Sequence, residues 1–151
     1  MADGPDALEA RLQRLEDLEE IRDLQEQYIR HLDRGEFAEY AALFAKDGQM
    51  RLGPARADGP AEIERVARES FGPQVETSSI RPGGLGGFHI TSGPKIELDG
   101  DRATAEVMWT VIARDENDKP IVTLVGHHAD ELVREDGRWR FARRRGFMDI
   151  P

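Results

Sequence analysis

The sequence predicts one small α+β domain, in which a helical first half packs on a curved, mostly antiparallel sheet supplied by the second half. Three observations predict it. Apolar residues recur every three or four positions from Leu8 to Leu32, the period of an amphipathic helix. From Phe88 onward, strand-like runs follow one another across short turn signals at Asp99-Gly100 and Asp136-Gly137, as in a chain of β-hairpins. The length of 151 residues suffices for one core and is too short for two ordinary domains, so the domain is expected to span 1–151.

The elements follow in order. After a short polar lead, Leu8, Leu12, Leu15, Leu18, Ile21, Leu24, Tyr28 and Leu32 mark one face of a long helix. Gly35 is placed to end it in a left-handed conformation. A second helix is expected from about Glu36 to Ala45, ended by Asp47-Gly48, with a short strand over Gln49 to Leu52. A third helix starts near Pro60, shows Ile63, Val66, Ala67 and Ser70 on one face, and should stop before Gly72-Pro73. Residues 72–87 hold five glycines and two prolines and read as a long loop, either a flap over a pocket or a plain connector. Strands are expected over 88–98, 102–114, 120–134 and 138–148. Joined this tightly, they must run antiparallel.

Several strand segments are apolar on both faces, as at Val107, Met108, Trp109, Val111 and Ile112. A sheet wetted on one side has no use for this. A homo-oligomer, dimer or trimer, is the expectation, and extra helix coverage is the alternative.

Composition narrows the partners. Thirty acidic against 21 basic side chains give a formal net charge of −9, which opposes attraction to a phosphate backbone or an anionic membrane. Neither nucleic acid nor membrane is expected. The one basic run, RWRFARRR at 138–145, alternates with Trp139 and Phe141 as a strand with one solvated face does. The absence of cysteine excludes disulfides, thiolate zinc sites and cysteine nucleophiles. No apolar leader or 18-residue apolar run is present, so a cytoplasmic location is expected.

The sequence holds no nucleophile elbow, phosphate-binding loop, dinucleotide fingerprint or HExxH helix. HHxD at 127–130 is not expected to bind metal, because adjacent residues on a strand point to opposite faces. What remains is acid–base chemistry without a cofactor, for which a histidine, a phenol and a carboxylate around an apolar cavity suffice. Tyr28 shares the inner helix face, where it either packs or works. Asp33 lies about 140° further round an ideal helix and either caps the next helix or turns inward. His89 opens the first strand, its facing left open because Gly93-Pro94 interrupts the ladder. A two-residue turn at Asp136-Gly137 pairs Arg134 with Trp139, Leu132 with Phe141 and Asp130 with Arg143. His128 and Asp130 then share the apolar face with Trp139 and Phe141, and His127 points away; a bulge would reverse this.

Three blocks in this order carry a family resemblance: LEEIRDLQEQYIRHLDRGEFAEYAALFAKDG at 18–48, FHITSGPKIELDGDRATAEVMW at 88–109 and GHHADELVREDGRWRFARRR at 126–145. Together they resemble the SnoaL-like branch of the nuclear transport factor 2-like superfamily, a cone-shaped α+β fold. The branch houses several chemistries and some proteins with none, so fold alone does not choose. Within it the chain is similar to the scytalone dehydratase and bile-acid dehydratase group, in which a tyrosine, an aspartate and a histidine line the cone. Tyr28, Asp33 and His89 match those positions. The resemblance implies a cofactor-independent lyase, dehydratase-like, acting on a small hydroxylated cyclic, aromatic or steroid-like substrate. In it His89 would be the acid–base group, Asp33 would fix its tautomer and Tyr28 would donate to the developing oxygen. His128, where many relatives carry a tyrosine, and Asp130 would be further pocket residues. Trp109, Met108, Phe88 and Phe147 would be apolar lining, with ordinary core as the alternative for each. The other readings are a non-catalytic module that holds a hydrophobic ligand or partner, and an isomerase or other small-fragment lyase.

Overall fold

The computed structural model describes residues 4–76 and 87–151. Most of the stretch expected to be flap or connector, 77–86, lies outside the described residues. The first helix, α1, spans Pro5–Arg34, with Pro5 in the first turn and Gly35 closing it at φ 70° through its N–H to the His31 and Leu32 carbonyls. That left-handed position is where glycine carries no Cβ penalty. Only the C-terminal part of the apolar stripe is covered: Ile21, Leu24, Tyr28 and Leu32 are buried, whereas Leu8, Leu12 and Leu15 are exposed.

The second helix is shorter than expected. It spans Phe37–Ala41 (α2), and Phe44 already opens strand β1, Phe44–Leu52. The reason is non-local: the Phe141 N–H donates to the Leu43 carbonyl, and β1 runs parallel to the last strand of the chain. Asp47-Gly48 is therefore a bulge inside β1 rather than a helix stop. A Cβ at Gly48 would lie within 2.9 Å of the Ala45 and Phe141 carbonyl oxygens, so only glycine fits there. Strand β2, Ala55–Asp58, folds back on β1, and helix α3, Pro60–Glu76, passes through Gly72-Pro73 instead of stopping before them. Pro73 falls in the last turn, where its missing N–H removes one helical hydrogen bond only.

Strands β3 (Phe88–Thr91) and β4 (Lys95–Asp99) divide what the periodicity joins, and both pair antiparallel with β5 (Arg102–Arg114). Strands β6 (Pro120–Glu135) and β7 (Arg138–Ile150) complete one seven-stranded sheet in the order β2-β1-β7-β6-β5-β3, with β4 also on β5. The β1–β7 pair is the parallel contact in a sheet that is otherwise antiparallel. The three helices pack on its concave side in a cone-shaped α+β fold. Residues of both halves meet in one core, including Ile21, Tyr28, Tyr40 and Ile63 with Leu132 and Phe141.

The last hairpin turns on Asp136 (φ 50°) and Gly137 (φ 73°), a type I′ geometry that matches the strand twist. Arg134 pairs with Trp139 and Leu132 with Phe141, and then the register shifts: Glu131 faces Arg143 and Asp130 faces Arg144. The predicted Asp130–Arg143 pair is thus corrected by a bulge. The extra residue falls on β7, so His128, Asp130 and Leu132 keep the inner face. On β7 the alternation resets, and Arg144 is turned inward to 1% exposure. Two more arginines of the basic run have partners inside the chain: Arg140 donates to the Ala42 carbonyl and Arg143 to Gln49. Among the described residues no helix is long and apolar enough to cross a membrane.

Candidate active site

Asp33 sits in the last turn of α1, where the helix dipole disfavours a negative charge. Its carboxylate turns into the cone instead of capping α2. Oδ1 lies 2.7 Å from His89 Nδ1, and Oδ2 accepts the His89 backbone N–H at 2.9 Å. One aspartate thus clamps both the main chain and the ring of the residue that opens β3. Because the carboxylate accepts, Nδ1 carries the ring hydrogen and Nε2 is left for a ligand. The His89 side chain is 24% exposed and that of Asp33 8%, so the ring is partly accessible while its support is sheltered.

The facing of His89 follows from pairing. His89 lies opposite Val111 and Thr91 opposite Trp109, so His89 and Trp109 both point into the cone. Their rings are 6.1 Å apart, and Trp109 is 5.9 Å from His128. Two glycines across the sheet make room for these rings. A Cβ at Gly126 would fall 2.3 Å from the Trp109 indole, and one at Gly146 would fall 3.3 Å from the His128 ring. His128 in turn meets Tyr28 edge-on at 5.5 Å.

Tyr28 is fully buried between Tyr40, Phe44 and Phe141. The Tyr40 hydroxyl donates to the Tyr28 hydroxyl at 2.6 Å, which leaves the Tyr28 proton for another acceptor. Burial pushes the Tyr28 phenol above its ordinary pKa, opposed by Arg144 and by the Tyr40 hydrogen bond. Burial, reinforced by Tyr28, pushes Tyr40 well above. Both are therefore neutral donors across the physiological range.

Behind them lies a group that the sequence reading did not single out. Arg144 Nε and Nη2 donate to the two Asp130 oxygens at 2.9 and 3.1 Å, Nη2 also reaches Gln25 Oε1 at 2.5 Å, and Gln25 Nε2 donates to Asp130 at 2.7 Å. The guanidinium stacks on the Tyr28 ring at 3.9 Å and the Phe141 ring at 4.4 Å. Burial raises the Asp130 carboxyl, offset in part by Arg144 and Gln25. A parity count from Phe141 places Arg143 inward, and the bulge is what substitutes Arg144.

Three lining assignments need correction. Met108 pairs with His127 and His127 with Phe147. This row lies on the outer face, with Met108 45% and Phe147 43% exposed and Phe147 stacked on His127 at 4.7 Å. Phe88 precedes inward-facing His89, so it also faces out, opposite Ile112. His127 bonds Asp149 there, on the side away from His128. Among the described residues no cluster of three or more His, Asp or Glu side chains is arranged to hold a metal ion.

The site has a pH signature. Burial, reinforced by the positive charge of Arg144, holds the His128 imidazole well below the ordinary histidine range. The unfolded chain takes up that proton near pH ~6.5, the folded chain only at lower pH. The stability contributed by neutral His128 is therefore present above about pH 6.5 and lost as pH falls toward the folded value, at up to about 1.4 kcal/mol per pH unit. Urea midpoints should fall between about pH 7 and pH 5 by more in the wild type than in His128→Gln; equal falls would contradict this assignment.

A family model for the SnoaL-like domain matches residues 13–145. The chain belongs to that family. Among solved structures it is similar to an NTF2-like protein with a cystatin-like fold from Novosphingobium aromaticivorans, at 26% identity and TM-score 0.86 over 99% of this chain and 92% of that one. It is similar in fold to a candidate scytalone dehydratase from the same organism (24% identity, TM-score 0.70, 91% and 87% covered). A third likeness in fold is to the hexachlorocyclohexane dehydrochlorinase LinA-type3 from Novosphingobium barchaimii LL02 (18% identity, TM-score 0.75, 93% and 91% covered). No curated protein sequence matches the chain significantly.

Proposed function

We propose that the protein is a cofactor-independent lyase that removes water, or a comparably small fragment, from a small hydroxylated cyclic or aromatic substrate. The observation that carries this reading is the Asp33–His89 clamp, in which a carboxylate holds Nδ1 and leaves Nε2 of an inward-facing histidine for a ligand. In the proposed reaction His89 Nε2 takes a proton from the carbon next to a carbonyl. The electron pair moves onto the carbonyl oxygen, where a neutral Tyr28 donor stabilises the enolate. The enolate then re-forms the carbonyl and expels the β-hydroxyl, which takes the proton back from His89 and leaves as water. The names of two fold neighbours, a dehydratase and a dehydrochlorinase, are those of eliminations, which supports the class. A panel of β-hydroxylated cyclic ketones tests it. Growth of the conjugated enone absorbance above the no-enzyme rate is expected, and binding without any product would reject it.

That second outcome is the mark of the alternative, a cone that holds a hydrophobic ligand without chemistry. The complete burial of Tyr28 favours it, since a packed ring needs no catalytic role.

The proposal includes a homo-oligomer. On the outer sheet face, Met108, His127 and Phe147 form one cross-strand row, and Thr110, Val125 and Ile150 form the next, with Ile90 beside Thr110. Ile90, Met108, Phe147 and Ile150 are all exposed, a patch of the kind that marks interfaces. Light scattering should give a multiple of the chain mass that falls to the monomer in Met108→Lys/Phe147→Lys; a monomeric wild type would contradict this.

A further inference from the structure

Buried polar atoms are nearly always paired, and one left alone costs about 1–3 kcal/mol. Among the described residues three side-chain atoms are buried without a hydrogen-bond partner: Trp109 Nε1, His128 Nδ1 and Arg144 Nη1. They are neighbours. The Trp109 and His128 rings are 5.9 Å apart, and Tyr28 touches both the His128 ring at 5.5 Å and the Arg144 guanidinium at 3.9 Å. His128 and Arg144 are themselves 6% and 1% exposed. The group lies beside the His89 ring, which is 6.1 Å from that of Trp109.

The chemistry of the three atoms selects what they take. The indole and the guanidinium can only donate, and the imidazole donates in one of its tautomers, so the complement is an acceptor oxygen. Its charge is set by the neighbours. Asp130 neutralises Arg144 through two hydrogen bonds, and burial keeps His128 uncharged. The corner has no net positive charge to repay the desolvation of an anion. A carbonyl oxygen fits, because it is an uncharged acceptor whose two lone pairs the three donors can share.

We infer that Trp109, His128 and Arg144 form a subsite for a neutral carbonyl oxygen of the substrate, separate from the oxygen that leaves at His89. This rests on the lyase reading for its substrate class, which it narrows to cyclic molecules that carry a second carbonyl oxygen, on the side of the ring away from the carbonyl at Tyr28 and from the proton transfer. Trp109 and His128 are then specificity-determining residues. Gly126 and Gly146 leave the space that these two rings occupy.

The experiment reads binding, so that it stands whether or not the protein turns substrate over. The chain has two tryptophans, and the second supplies an internal control, because Trp139 Nε1 already donates to Asp17 at 3.0 Å. The indole N–H signals of His89→Ala protein are followed by nitrogen–proton NMR during titration with 1-tetralone, tetralin and tetralin-1-carboxylate. The Trp109 signal should move with 1-tetralone, while that of Trp139 stays. Trp109→Phe and His128→Phe should each weaken 1-tetralone binding about fivefold to tenfold, the worth of one neutral hydrogen bond, and leave tetralin binding unchanged. Equal weakening of ketone and hydrocarbon would reduce both residues to packing and overturn the subsite. Preference for the carboxylate would overturn its neutral character, and an unmoved Trp109 signal at saturating ketone would overturn it outright. Failure of the lyase reading shows instead as absent enone in the wild type with the Trp109 shift intact.

Discussion

Asp33→Asn should lower turnover by about 10²- to 10⁴-fold, the range of a lost general acid–base contribution, while the protein stays folded. The size follows from what the carboxylate does. Both of its oxygens face donors, the His89 backbone N–H and the ring Nδ1. An asparagine presents one oxygen and one NH₂. With the oxygen on the backbone N–H, the amide faces Nδ1 as a donor, and the ring answers by moving its hydrogen to Nε2. The nitrogen that accepts the substrate proton in the proposed reaction is then already protonated. With the amide the other way, it opposes the backbone N–H and pushes the start of β3 away. Either arrangement disables the base without emptying the site, so substrate affinity should change much less than turnover. Equal changes in both would show that Asp33 merely holds β3 in place.

The largest stability effect should come from Arg144→Met. The Arg144 and Asp130 side chains are 1% and 0% exposed, and methionine leaves the Asp130 carboxylate buried against Gln25 alone. Breaking a buried pair from one side costs about 3–5 kcal/mol, which for a domain of this size lowers the melting temperature by roughly 10 °C or more. Adding Asp130→Leu should recover most of the loss, because an apolar pair of similar volume removes the stranded charge. A double variant as unstable as the single one would mean that the guanidinium matters for packing under Tyr28 rather than for charge. The same network lies under the Tyr28 ring, so the polar core and the site share one support.

Much of this was legible because it is local. The α1 stripe, its Gly35 stop and the Asp136-Gly137 turn each depend on a few adjacent residues. The inward facing of His128 and Asp130 held because the bulge fell on β7 and left the β6 alternation intact. The pairing of Asp33 with His89 depended on the resemblance, since nothing in either segment alone reveals a contact between residues 56 positions apart. What stayed hidden was non-local or one residue out of step. Strand β1 starts as early as Phe44 because β7 lies beside it, almost a hundred residues later, and Ala41 to Gly48 shows no strand alternation that competes with its helical start. In Arg143-Arg144-Arg145 composition cannot tell which arginine turns inward; the bulge decides. Met108 was within reach of the sequence. If Trp109 faces the cone, its neighbour on the same strand cannot.

In the proposed reaction His89 is the group that moves the proton. The most direct test is the rate of enone formation by His89→Ala beside the wild type, on whichever hydroxylated ketone the panel identifies, with a binding measurement on the same ketone. A fall in turnover of about a hundredfold or more with binding retained is the predicted result. Turnover by His89→Ala equal to that of the wild type would contradict it.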